Sequence, residues 1–105
     1  MRRGEVYLVR FGPAVGSEVV KDRPCVVVSP DEMNAKAATF IGVPLTTKYR
    51  PYPSRIRCEV RDKVGYAMLD QVQVLSPQRI ISQITQLHQS ELERVLDRLA
   101  EMFAL

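Results

Sequence analysis

The chain has 105 residues, 46% of them hydrophobic and 26% charged, a balance that excludes a chain disordered throughout and leaves room for one hydrophobic core rather than several domains. No uninterrupted apolar run approaches the roughly 18 residues of a membrane span, and Met1-Arg2-Arg3-Gly4-Glu5 leads into alternating residues without an apolar leader, so the expected compartment is the cytoplasm and no membrane partner is expected. A net charge of +3, with arginine supplying most of the 15 basic residues, points toward anionic partners and toward phosphate in particular.

Taken in chain order, Glu5-Val6-Tyr7-Leu8-Val9 reads as a first strand. Next come Val15-Gly16-Ser17-Glu18, then Arg23-Pro24 and the apolar run Cys25-Val26-Val27-Val28. That order sets a hydroxyl, a carboxylate and a guanidinium in a loop feeding a buried strand, where a rigid scaffold displays reactive groups best. The second strand is predicted from Arg23 to Ser29 and the third from Thr39 to Pro44. Arg55 to Val60 alternates as a half-exposed strand. Asp62-Lys63-Val64-Gly65 then turns into Tyr66-Ala67-Met68-Leu69-Asp70, which continues through Val72 and Val74. After Ser76-Pro77 a further strand is expected over Ile80 to Leu87. Ser90 and Glu93 stand at capping-box spacing ahead of Leu92, Val95, Leu96, Leu99, Met102 and Phe103, whose helical period predicts a C-terminal helix laid on the sheet. Together these elements predict a mainly β protein with a C-terminal helix, a small bent antiparallel sheet or barrel of SH3-like architecture.

Cys25 and Cys58 lack metal-ligand spacing and read as small buried residues; no metal site and no cofactor is expected. From Lys48 to Lys63 the chain carries Lys48, Arg50, Arg55, Arg57, Arg61 and Lys63 against Glu59 and Asp62, with Tyr49 and Tyr52 among them. Basic charge interleaved with aromatic rings suits single-stranded nucleic acid, and a solvated, arginine-decorated hairpin has the same composition.

Several segments in order carry a family resemblance: Arg3-Gly4-Glu5-Val6-Tyr7, Val15-Gly16-Ser17-Glu18, Arg23-Pro24, Val27-Val28-Ser29-Pro30 with Asn34, Val43-Pro44-Leu45-Thr46-Thr47 and Leu69-Asp70-Gln71-Val72. Over nearly the whole chain the sequence resembles the MazF/PemK toxins of toxin-antitoxin systems. The resemblance implies a homodimeric, metal-independent endoribonuclease that cuts single-stranded messenger RNA at short motifs. It also implies a cognate antitoxin that inhibits by occupying the RNA groove.

Metal-free RNA cleavage needs a base for the 2′-hydroxyl, charge on the phosphorane and a proton for the leaving 5′-oxygen. His88 is the only histidine, so two histidines of one subunit do not do this work; it reads as a capping-region residue. Arg23 is the natural phosphorane stabiliser, its planar fork matching two phosphate oxygens, with an ion pair to Glu18 or Asp22 as the alternative use. By its match to the family, Thr46 is the active threonine, with Glu18 as candidate base. RNA contacts fall to Ser17, Asn34, Thr47, Lys48, Tyr49, Tyr52, Asp70 and Gln71. Met68 stands where some relatives carry arginine, which separates Asp70 from the family's catalytic pattern. Two other classes remain open: a gyrase-poisoning toxin of the same fold, acting through helix-end residues such as Met102, Phe103 and Leu105, and a nucleic-acid-binding module that does not cut.

Overall fold

Valine and isoleucine in short runs between Gly, Pro, Ser and Asp give this chain strands connected by tight turns, and the longest apolar run becomes its most enclosed strand. The computed structural model describes residues 1–12 and 21–105. The elements are β1 (Glu5–Val9), β2 (Arg23–Val27), α1 (Asp31–Lys36), β3 (Phe40–Thr46), β4 (Arg55–Val60), β5 (Lys63–Met68), β6 (Gln73–Leu75), β7 (Ile80–Gln86) and α2 (Gln89–Phe103). The strands form one antiparallel sheet in the order β4-β5-β3-β2-β1-β7, with β6 pairing to β3. The sheet is open, with β4 and β7 as edges, rather than a closed barrel. At the β4–β5 turn the Arg61 guanidinium donates to the Ile84 carbonyl of β7 at 2.6 Å, a side-chain link between the two edge regions.

β2 is buried on both faces, which is why its sequence is continuously apolar rather than alternating. Val26 joins the core beneath α2, with Val6, Val43, Leu45, Leu69, Leu92 and Val95. Cys25 and Val27 face a second cluster with Val9, Phe11, Phe40 and Leu75. Both cysteines are buried free thiols whose pKa burial raises, Cys58 to about 11. Gly42 lies where a Cβ would run into the Cys25 sulfur, so the two central strands meet through hydrogen there.

Several boundaries depart from the sequence expectation. β3 begins at Phe40, one residue later than expected, and runs two residues past Pro44 to end at Thr46. β5 begins at Lys63 because Arg61 and Asp62, with φ of 49° and 65°, make a two-residue hairpin turn on their own. The predicted long strand through Val74 breaks at Leu69–Gln71 into a 3₁₀ turn, where buried Leu69 plugs the core and redirects the chain so that β6 pairs with β3. α2 starts at Gln89 with His88 in the capping position, and the predicted Ser90 cap is not used. The amides of Glu91 and Leu92 donate to the His88 carbonyl instead, and Glu91 turns inward to accept from the Glu59 amide of β4 at 2.9 Å. α1 is an unforeseen element: six residues with no buried side chain leave no periodic apolar signal.

Candidate active site

Antiparallel pairing brings two of the predicted catalytic residues, Arg23 and Thr46, onto neighbouring strands. β2 and β3 pair Cys25 with Pro44, Val26 with Val43 and Val27 with Gly42; extending that register by two residues sets Arg23 across from Thr46. Directly opposed residues point to the same face with Cβ atoms about 5 Å apart. β5 continues the row, since Thr46 pairs with Tyr66 and Tyr66 with Arg57 of β4. A line of guanidinium, hydroxyl, phenol and guanidinium therefore crosses four strands near the end of the sheet.

Arg23, Thr46 and Thr47 line one cleft of about 340 Å³, whose walls also include Pro24, Leu45, Val60 and Val64. Among the described residues, three cations reach this cleft, Arg23, Arg61 and Lys63, against Asp22, which pairs with Arg10 at 3.8 Å. The Arg23 Nε is buried and has no hydrogen-bond partner among the described residues. A donor so placed costs about 1–3 kcal/mol unless an acceptor meets it. Thr46 is only 9% exposed, and its Oγ1 accepts from the Lys48 amide at 3.2 Å. That contact orients the side chain and leaves the hydroxyl proton for another acceptor.

Beyond Thr46 the chain leaves the sheet in the loop of residues 47–54, where a second, more open depression of about 500 Å³ lies among Tyr49, Tyr52, Arg55, Arg57 and Tyr66. Tyr49 meets Tyr66 edge to face with centroids 5.4 Å apart, and the Arg55 guanidinium sits 5.2 Å from the Tyr52 ring centre. Asp70 accepts from Arg55 Nε at 2.9 Å and Nη2 at 3.2 Å, and from Ser54 Oγ at 3.2 Å. Partial burial alone would lift its carboxyl; the Arg55 and Ser54 hydrogen bonds and the arginine's charge carry it below the usual aspartate range. Met68, opposite Arg55 in the register, is buried, so Asp70 draws its arginine from β4 instead. From the far side, the Arg98 guanidinium of α2 holds the loop by donating to the Pro53 carbonyl at 2.7 Å.

The remaining predicted residues fall elsewhere. Lys48 is exposed in the loop, and Gln71 lies in the turn after β5, its carbonyl accepting from the Gln73 amide group. Asn34 sits on α1, bonded to the hydroxyl and carbonyl of Ser29 at 2.5 and 3.0 Å, near the start of β3 and about 16 Å along the strand from Thr46 at 3.3 Å per residue. Ser17 and Glu18 lie outside the described residues. Sequence reading treated Tyr66 only as a strand residue. The signal that would have found it is the hairpin turn, because counting back from Arg61-Asp62 pairs Tyr66 with Arg57 at the edge of the basic loop.

Fold and cleft together define a small open β-sheet protein with a basic, hydroxyl-bearing groove at one end of the sheet. The sequence model of the family described as PemK-like, MazF-like toxin of type II toxin-antitoxin system matches residues 2–103, and the chain belongs to that family. It is similar to the Endoribonuclease toxin MazF of Escherichia coli (strain K12), with 36% identity over 73 residues covering 70% of this chain and 66% of that protein. The Endoribonuclease MazF of Staphylococcus saprophyticus is 30% identical over 101 residues, covering 90% of this chain and 84% of that one. Among solved structures, MazF from Deinococcus radiodurans superposes with a TM-score of 0.88 at 21% identity, over 100% of this chain and 97% of that one. A mycobacterial endoribonuclease in complex with its cognate antitoxin does so with a TM-score of 0.81 at 22% identity, over 96% and 92%.

Proposed function

We propose that this protein is the toxin of a type II pair, an endoribonuclease that cleaves single-stranded RNA without a metal and is held inactive by a cognate antitoxin. One observation carries the reading: Arg23 and Thr46 share a cleft in which the arginine's Nε is buried and lacks an acceptor among the described residues. A scissile phosphodiester supplies that acceptor. The guanidinium fork takes two phosphate oxygens and the Thr46 hydroxyl donates to one of the same non-bridging oxygens, so negative charge gained in the phosphorane meets donors already in place. The 2′-hydroxyl gives its proton to the base and attacks phosphorus, the bond to the 5′-oxygen breaks as that oxygen takes up a proton from solvent water, and the products carry a 2′,3′-cyclic phosphate and a 5′-hydroxyl. Glu18 is the proposed base, with Ser17, Asn34, Thr47, Lys48, Tyr49, Tyr52, Asp70 and Gln71 as RNA-binding residues. The naming of two relatives as endoribonucleases, and of a structural neighbour solved with its antitoxin, supports the activity and the partner. A homodimer acting in the cytoplasm completes the proposal.

Incubating the purified protein with long single-stranded RNA in chelator and sequencing the ends tests it. Discrete cuts bearing cyclic phosphate are expected. Intact RNA with bound protein would instead indicate a binding module, and intact RNA with stalled gyrase a gyrase poison.

A further inference from the structure

We propose that Tyr66 and Arg57 form a nucleobase subsite that sets the base preferred beside the cut, an inference resting on the nuclease reading above. The cross-strand row places Tyr66 on the strand next to Thr46 and on the same face, so the nucleotide flanking a phosphate held at Arg23 and Thr46 reaches Tyr66 first. Edge-on contact from Tyr49 steadies the Tyr66 ring at 5.4 Å, while Tyr66 remains part of the wall of the open depression. A fixed, half-exposed ring is what an unstacked base needs. Arg57 lies directly opposite Tyr66 in the register, with its side chain more than half exposed and, among the described residues, a single long 3.4 Å contact to Glu59, so its fork is available to a base edge. Arg55, by contrast, is committed to Asp70. An exposed, weakly held guanidinium beside a stacking ring suits a base offering two adjacent acceptors, as guanine does at O6 and N7.

Two measurements separate this inference from the reading beneath it. Long RNA of random sequence is cut by wild type, Tyr66→Val, Tyr66→Phe and Arg57→Ala, and the bases flanking the cuts are counted. In parallel, binding of a short 2′-O-methylated RNA of random sequence, which cannot undergo 2′-hydroxyl attack, is followed by fluorescence anisotropy, with circular dichroism confirming that each variant is folded. Wild type should show guanine enriched at one flanking position. Tyr66→Val and Arg57→Ala should flatten that position alone, Tyr66→Phe should keep the enrichment, and Tyr66→Val should weaken binding about fivefold or more, as loss of one stacked base does. An unchanged cleavage profile and affinity in Tyr66→Val would overturn the subsite while leaving the nuclease intact. Binding that depends on Tyr66 without any cleavage by wild type would overturn the nuclease reading and keep the base site.

Discussion

At the scale of single residues, the proposed role of Arg23 rests on a buried Nε that has no acceptor among the described residues, a donor that a bound phosphate would satisfy. Shape as well as charge is therefore required, and Arg23→Lys should lower cleavage by about 10²-fold although the charge is preserved, as loss of an oxyanion donor does. Cleavage within a few-fold of wild type would reduce Arg23 to a point charge. Asp70 makes a different prediction. Its depressed pKa means that its pairing with Arg55 stabilises the fold above the unfolded aspartate value near 3.9 and that this contribution is lost as pH falls through the lower folded value. Asp70→Asn should then lower the melting temperature at pH 7, and the difference from wild type should close as the pH is brought down toward about 2. A difference that persists unchanged in acid would mean that the carboxylate's charge is not what matters. Arg23 was singled out in the sequence because it opens the apolar run of β2, and Thr46 through the family resemblance. Tyr66 was not, because its role depends on which residue a neighbouring strand sets opposite it.

At the scale of elements, alternation located the strands while side-chain geometry decided where they stop. The continuous apolar run of β2 signalled a strand covered on both faces, and the two core clusters that divide its residues are the physical reason. α1 could not be read because it buries nothing, and α2 could not be started correctly because Glu91 is drawn inward to the Glu59 amide, contrary to the usual preference of a carboxylate for water. Gly42 tests the central pairing. Its missing side chain lets Cys25, Phe40 and Leu75 close around β3, so Gly42→Ala should destabilise the protein by about 1–3 kcal/mol in chemical denaturation. A neutral result would show that the core yields at this point.

At the scale of the whole molecule, the sheet is open and its edges, β4 and β7, are linked at the hairpin turn by Arg61 alone among the described side chains of that turn. Strand edges left unpaired favour association with another chain, and light scattering should return twice the 11.9 kDa of the chain; a monomer mass at micromolar concentration would contradict the dimer. Openness was not legible beforehand, since strand count and patterning fit a bent sheet and a barrel equally well. The central claim, that Arg23 and Thr46 grip one phosphate, is tested most directly by single-turnover RNA cleavage in chelator with Arg23→Ala, Thr46→Val and the double variant. Two donors to one phosphorane act as a unit, so each single change should cost about 10²–10³-fold and the double change far less than their product. Wild-type rates in either single variant, or losses that multiply in full, would contradict it.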